Sequence, residues 1–126
     1  AFAGLKVTAS HNGDYPPDVK RIKWDRRSSY SRDPAAVSGN CSGALALNLT
    51  ALRGANPIVL VGYDMRGDHW HEDHPEPTNL KKLEKSFKPG IERMAPYLAA
   101  AGVEVFNVNS ESALRCFPFR EIAEFQ

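Results

Sequence analysis

The sequence predicts an α/β domain of three layers with a small, mainly parallel sheet. Segments with the apolar period of a strand alternate with helical segments, and the joins between them are short. The β-branched run at residues 57–64 is typical of a strand covered on both faces, which marks the centre of a parallel sheet. A length of 126 residues fits one domain, so we expect residues 1–126 to share a single core.

The first third of the chain predicts two short strands and a long loop. Residues 5–9 alternate between apolar and polar side chains, and the turn formers at 11–17 end that strand. A second strand is predicted at 21–24. Residues 25–40 are polar and basic with no apolar period, which indicates a long loop of the kind that is often functional. The basic stretch from Arg21 to Arg32 could line a shared site for an anionic ligand, or it could be a solvated, mobile segment. The sequence opens at Ala1 close to the first strand, which leaves open a further native strand and helix before it.

The rest of the chain alternates between helices and strands. The first predicted helix has Ser42 as its N-cap and ends near Arg53, and Gly54 fits the left-handed position after the last turn. The later elements are a helix over 80–101 interrupted at Pro89 and Gly90, a strand over 103–108, a short helix from Ser110 to Leu114, and a helical turn over 121–125. Parallel strands joined through helices imply right-handed crossovers.

Composition and charge narrow the functional classes. The hydrophobic content of 42% argues against a disordered chain. Sixteen Lys and Arg against fifteen Asp and Glu give a formal net charge of +1, which argues against a protein that binds nucleic acid mainly through electrostatic attraction. No apolar run approaches the roughly 18 residues of a membrane span, and no signal peptide is evident, so we expect a cytoplasmic protein without a membrane partner. Cys41 and Cys116 are too few for a disulfide framework and are predicted to be reduced, packed thiols.

Three segments are expected at the carboxyl edge of the sheet, where parallel sheets bind ligands. Residues 38–43, SGNCSG, open a helix whose N–H groups suit a phosphate or a carboxylate, although an ordinary capped helix explains them as well. Asp64 suits a ribose hydroxyl or a basic side chain, or else it caps a turn. Residues 107–112 add an amide and hydroxyls. The candidate ligand-binding residues are Ser38, Gly39, Asn40, Ser42, Gly43, Asp64, Met65, Trp70, Asn107 and Ser110.

Three of the four histidines follow Asp64 in one segment, DHWHEDH at residues 68–74. This pattern resembles the first metal-binding motif of metallo-β-lactamase-fold hydrolases, in which imidazoles and an aspartate hold zinc ions that activate water. The resemblance implies a candidate zinc site, and its ligands would be His69, His71, Asp73 and His74. No histidine follows in the sequence, and Pro75 and Pro77 stand where that family has a glycine-rich turn.

Two other interpretations of the histidine segment stay open. His69 or His71 could act as a general base, because imidazole titrates near neutral pH. The segment could instead be a polar surface loop. Trp70 would then pack beneath the loop, or it would stack on a base or a sugar.

Residues 37–65 resemble the nucleotide-binding core of the bacterial sialyltransferase and pterin-diphosphokinase-like group, in which a Ser-Gly motif opens a helix and an apolar strand closes on Gly-x-Asp. The chain is more similar still to a family of small phage and prophage proteins. The shared motifs are the same helix opening, GYDM at a strand end, an H-W-H-x-x-H-P segment, and a stretch like residues 107–118. Members of the phage group begin with one more strand and helix.

The resemblance covers about Leu5 to Pro118 and implies a Rossmann-like fold, a phage origin and a nucleotide ligand. It implies a nucleotide or anion cradle, with His71 as a candidate base. The residues carried over to that cradle are Ser38, Gly39, Asn40, Ser42, Gly43 and Asp64.

Three functions are consistent with these features. The leading hypothesis is a protein that binds a nucleotide or nucleotide-sugar, as a glycosyl- or phosphoryl-transferase in which residues 39–43 hold phosphates, Asp64 holds a sugar hydroxyl, and His69 or His71 deprotonates the acceptor. The second is a non-catalytic sponge for a nucleotide signal. The third is a zinc-dependent hydrolase. We also expect a homo-oligomer, because a small sheet without its first strand would expose an edge.

Overall fold

The computed structural model describes residues 4–67 and 79–125. It is an α/β structure of short parallel strand pairs and a few helices, which confirms the predicted class at that level. In chain order the elements are β1 (Lys6–Thr8), β2 (Val19–Arg21), β3 (Lys23–Asp25), β4 (Ala36–Ser38), α1 (Ser42–Leu52), β5 (Ile58–Leu60), α2 (Leu80–Lys82), a π-helical segment (Leu83–Phe87), α3 (Lys88–Glu92), α4 (Ala95–Ala100), β6 (Val105–Asn107) and a 3-10 turn (Ile122–Phe125).

All three strand pairs are parallel: β1 with β2, β3 with β4, and β5 with β6. Only Ile22 separates β2 from β3, and its N–H donates to the carbonyl of Thr8 at 2.9 Å. In each pair the last residues of the two strands are opposite each other, as Asp25 is to Ser38. The loops that follow β3 and β4 therefore start level with each other.

The core lies where α1, α3 and α4 pack against β5 and β6. Its members are apolar side chains that are at most 7% exposed, namely Ala44, Leu47, Ile58, Leu60, Ile91, Met94, Leu98, Val105, Leu114 and Phe117. Burial of such side chains is the main favourable term in folding, at about 1.5 to 3 kcal/mol for each large one.

One buried amide joins α1 to the segment that leads into β4. Asn48 is fully buried, and its Oδ1 accepts from the backbone N–H of Ser31 at 3.1 Å and of Ser38 at 2.7 Å. Its Nδ2 donates to the carbonyl of Ser31 at 3.0 Å. The side chain therefore satisfies three backbone groups of a segment that has few regular partners of its own.

The prediction of a loop over residues 25–40 is wrong at both ends, because strands reach into that range. Asp25 closes β3, and Ala36–Ser38 form β4, all three residues of which are buried. Three residues are too few to show a period in the sequence. The strand exists because β3 pairs with it and Asn48 accepts the N–H of Ser38.

The helix predicted over 80–101 is divided differently from the prediction. Pro89 and Gly90 lie inside α3, and the break falls at Arg93 and Met94, between α3 and α4. The π-helical segment before α3 carries a hydrogen bond from the N–H of Lys88 to the carbonyl of Leu83. Residues 80–92 are helical without a break, so Pro89 lies inside the run and has no N–H to donate to the preceding turn. The wider π-helical turn directly before α3 marks the place where the regular hydrogen-bond pattern changes ahead of this proline.

The predicted helix from Ser110 to Leu114 does not form. The N–H of Ala113 donates to the carbonyl of Asp64 at 2.8 Å, and the hydroxyl of Ser112 donates to the carbonyl of Tyr63 at 2.6 Å. These groups are therefore committed to the loop after β5 and not to a helical turn. The predicted helical turn at the end of the chain is confirmed by the 3-10 turn.

Candidate functional site

A cavity of about 650 Å³ opens at the carboxyl ends of β1, β3 and β4, beside the start of α1. Ligand sites typically have volumes of about 300 to 1,000 Å³. We call its hydrophobic lining residues the apolar wall: Val7, Ile22, Val37, Leu45, Ala46 and Leu49. We call its polar lining residues the polar rim: Thr8, Ser10, His11, Asn12, Arg26 and Ser42.

Trp24 and Arg26 form a stacked pair within the cavity. The indole Nε1 donates to the carbonyl of Gly39 at 2.8 Å, which fixes the ring against the turn between β4 and α1. The guanidinium of Arg26 lies over that ring, 4.2 Å from its centroid. Arginine keeps its charge at every accessible pH, so the pair places a fixed positive charge on the polar rim.

The first turn of α1 borders the same cavity. The N-cap is Cys41, so the prediction of Ser42 as the cap is wrong by one residue, and Ser42 is the first helical residue instead. No side chain caps this end, and the first N–H groups of a helix have no partner within the helix. Cys41 and Ser42 both line the cavity, so the positive end of the helix dipole faces it.

The other residues of the predicted cradle lie around the cavity and not in its lining. Ser38 is buried, with its hydroxyl 2.9 Å from that of Ser28. Asn40 donates from its amide to the carbonyl of Ser86 at 2.5 Å. Gly43 accepts, through its carbonyl, a 2.9 Å hydrogen bond from the hydroxyl of Tyr63. Of the predicted cradle residues, Ser42 alone lines the cavity. Ser38, Asn40 and Gly43 instead bond to Ser28, Ser86 and Tyr63 around it.

Asp64 belongs to a second polar cluster, at the carboxyl ends of β5 and β6. Its carboxylate is exposed and accepts a hydrogen bond from the side-chain amide of Asn109. Asn107 is buried, and its Oδ1 accepts from the N–H of Asn109 at 3.0 Å. Ser110 is exposed beside them, and Met65 has a positive φ of 52°. None of these residues lines the cavity.

Tyr63 connects the two clusters. Its hydroxyl donates to Gly43 in the first turn of α1, and its carbonyl accepts from Ser112. Burial raises the pKa of the phenol. The hydroxyl therefore stays protonated, as the donor role requires, across the neutral range.

The histidine segment falls outside the described residues, and so do the catalytic, stacking and zinc predictions for His69, Trp70, His71, Asp73 and His74. Within residues 4–67 and 79–125, no three His, Cys, Asp or Glu side chains are arranged to hold a metal ion. The same part of the chain contains no helix that is both long and apolar enough to cross a membrane.

Sequence reasoning missed His11, Asn12 and Trp24 in this cavity, and it indicated Arg26 only as part of the basic stretch 21–32. His11 and Asn12 are interpreted as part of a turn, and they do lie in a bend, which follows β1 after Ala9 and Ser10. Trp24 and Arg26 were assigned to a strand end and a basic loop. Trp24 lies in β3 and Arg26 directly follows that strand. A spacing of two puts side chains on one face of an extended segment, and that signal could have identified the pair.

Both cysteines are free, and Cys116 is exposed, which corrects the prediction that it is packed. Although the residue is exposed overall, neighbouring atoms partly shield its sulfur from water, and this desolvation raises the thiol pKa to about 11; the nearby Glu92 adds to the shift. Because the thiolate is the reactive form, we expect Cys116 to react slowly with iodoacetamide at pH 8. Alkylation rates of a Cys41→Ser variant, measured against pH by mass spectrometry, should rise to a midpoint near pH 11. A midpoint at or below pH 9 would contradict this assignment.

Comparisons with protein-family models, with curated proteins and with solved structures find no match to this chain. The resemblance to the phage group and to the sialyltransferase-like group therefore stays a prediction from motifs. The candidate site is defined by its own geometry: a cavity at three strand ends with an apolar wall, a polar rim and one stacked arginine.

Proposed function

We propose that the protein binds a nucleotide or nucleotide-sugar in this cavity, on a Rossmann-like three-layer fold. The observation that carries the proposal is the charge of Arg26, stacked on Trp24 beside the uncapped start of α1. The cavity offers the two environments that a nucleotide needs, because an apolar wall suits a base and a cationic rim suits a phosphate.

The polar rim supplies partners for the rest of such a ligand. The hydroxyl of Ser42 and the amide of Asn12 can hydrogen-bond to sugar hydroxyls or phosphate oxygens. His11 is the one imidazole among the described rim residues, and it can donate to a phosphate or take a proton from an acceptor. A transferase would use this base or one from the histidine segment.

Binding without turnover is the second candidate function. Among the described residues the rim carries no carboxylate, and Asp64 lies in the other cluster with its carboxylate engaged by Asn109. A sponge for a nucleotide signal needs only the wall, the cation and the helix end. Long incubation with a bound nucleotide separates the two functions, since a sponge returns the ligand intact and a transferase consumes it when an acceptor is present.

Arg26→Gln is the variant that tests the proposal. We expect it to weaken nucleotide binding about 10- to 100-fold, because a hydrogen bond to a charged group contributes about 1.5 to 3 kcal/mol. Calorimetric titration with the 5′-monophosphates of the four common nucleosides measures the change. Arg27→Gln is the matched control, since Arg27 is exposed, has the same charge and does not line the cavity. Equal affinity of the two variants would overturn the assignment of the cavity.

A further inference from the structure

We infer that the cavity selects a ligand with one phosphate, a nucleoside monophosphate, over the corresponding diphosphate. The inference rests on the proposed function and adds the substrate class. It follows from how apolar surface and charge are distributed around the cavity.

The apolar wall determines which end of the ligand enters. The cavity is lined by Leu45 and Leu49 on α1, by Val7 and Val37 on β1 and β4, and by Ile22 between β2 and β3. A sugar hydroxyl or a phosphate placed there would lose its hydrogen bonds to water without replacement. The flat face of a base makes no hydrogen bonds, so it loses none when it packs on apolar side chains. The base therefore lies against the wall, and the phosphate is left at the rim.

The cationic side chains of the polar rim determine how many phosphate groups of the ligand can be paired with a positive charge. Arg26 is the only Lys or Arg among the described lining residues, and no Asp or Glu lines this part of the cavity. Its guanidinium makes no ion pair with another described residue. Stacking on Trp24 occupies the face of the guanidinium, so its edge stays available for a two-point contact with a single phosphate. A second phosphate would find no second Lys or Arg among the described lining residues, and only the N–H groups at the start of α1 and the imidazole of His11 would be left as its partners.

Trp24 provides a direct measurement of binding. The chain has two tryptophans, so Trp24 is the sole indole in a Trp70→Phe variant. Calorimetric titration of the unsubstituted protein with the nucleosides, the 5′-monophosphates and the 5′-diphosphates of the four common bases measures the affinities. Tryptophan emission of the Trp70→Phe variant, followed in the same titrations, reports whether the ligand reaches Trp24. For the base that binds best, we expect the monophosphate to bind at least about 10-fold more tightly than the nucleoside, in line with a charge-assisted contact. We expect it to bind at least about 5-fold more tightly than the diphosphate.

The outcomes separate this inference from the proposed function. A diphosphate that binds as tightly as the monophosphate, or more tightly, would overturn the selection of one phosphate and leave nucleotide binding intact. Absence of binding by every nucleotide, both in emission and in calorimetry, would overturn the proposed function itself. Calorimetric binding of a monophosphate that leaves Trp24 emission unchanged would place the ligand elsewhere and overturn the inference. The Arg26→Lys variant adds a check: it keeps the charge and loses the two-point contact, so the preference for the monophosphate should shrink.

Discussion

Replacing Asn48 with leucine is expected to lower the free energy of unfolding by about 3 to 5 kcal/mol, because each buried polar group left without a partner costs about 1 to 3 kcal/mol. Leucine has a similar volume but cannot replace the amide. The change leaves three backbone groups without a hydrogen-bond partner, because all three bond to the Asn48 side chain: the N–H of Ser31, the carbonyl of Ser31 and the N–H of Ser38. A loss of this size is a large part of the 5 to 15 kcal/mol that is roughly typical of a domain.

Asn56→Ala is the matched control for this prediction. Asn56 also makes two hydrogen bonds to backbone groups, with Gly102 and Glu104, but it is exposed, so water replaces the lost partners. We expect a loss of at most about 1 kcal/mol for this variant. Urea unfolding followed by circular dichroism compares the two. Equal losses would show that Asn48 does not organise the segment between β3 and α1.

Gly39→Ala is expected to destabilise the protein by about 2 to 4 kcal/mol, combining left-handed backbone strain with overpacking. Gly39 has a φ of +148°, and a Cβ placed there would lie 2.6 Å from the Cβ of Ala44 and 2.9 Å from the backbone nitrogen of Leu45. Backbone atoms at this distance cannot move aside without displacing the first turn of α1. We therefore expect nucleotide binding to weaken along with stability.

Gly54→Ala separates backbone strain from the clash. Gly54 also has a positive φ, of +81°, but a Cβ there would meet nothing within 4 Å. This variant should lose only about 1 to 2 kcal/mol, the cost of the left-handed conformation for a residue with a Cβ. Thermal unfolding and calorimetric titration of both variants test the pair. Unchanged binding by Gly39→Ala would contradict the role given to the turn between β4 and α1.

The predictions that succeeded depend on patterns within one segment. The helix predicted near residues 42–53 forms as α1, and Gly54 follows it with positive φ. The N–H of Gly54 donates to Ala51 and that of Ala55 donates to Thr50, which is the termination that the glycine predicts. The runs around Ile58 and Val105 form β5 and β6 for the same reason.

The predictions that failed depend on partners far along the chain. β4 forms because β3 and Asn48 meet it, and the stretch that follows Ser110 is not helical because its N–H and hydroxyl groups bond to the loop after β5. The candidate site follows the same rule. Small residues at 38–43 indicated a helix start beside a ligand, but Asn40 and Ser38 turn away from the cavity to hold the loops around it.

The sequence by itself determined the α/β class, the first helix with its glycine stop, and the carboxyl edge of the sheet as the place to look for a ligand. Those features follow from local periodicity and from the rule that parallel strands end together. Only the tertiary structure decided that His11, Trp24 and Arg26 share one cavity with the start of α1, while Asp64 belongs to a separate cluster. The physical reason is that the position of a side chain in space depends on strand pairing and buried hydrogen bonds between distant residues, and no local pattern encodes these.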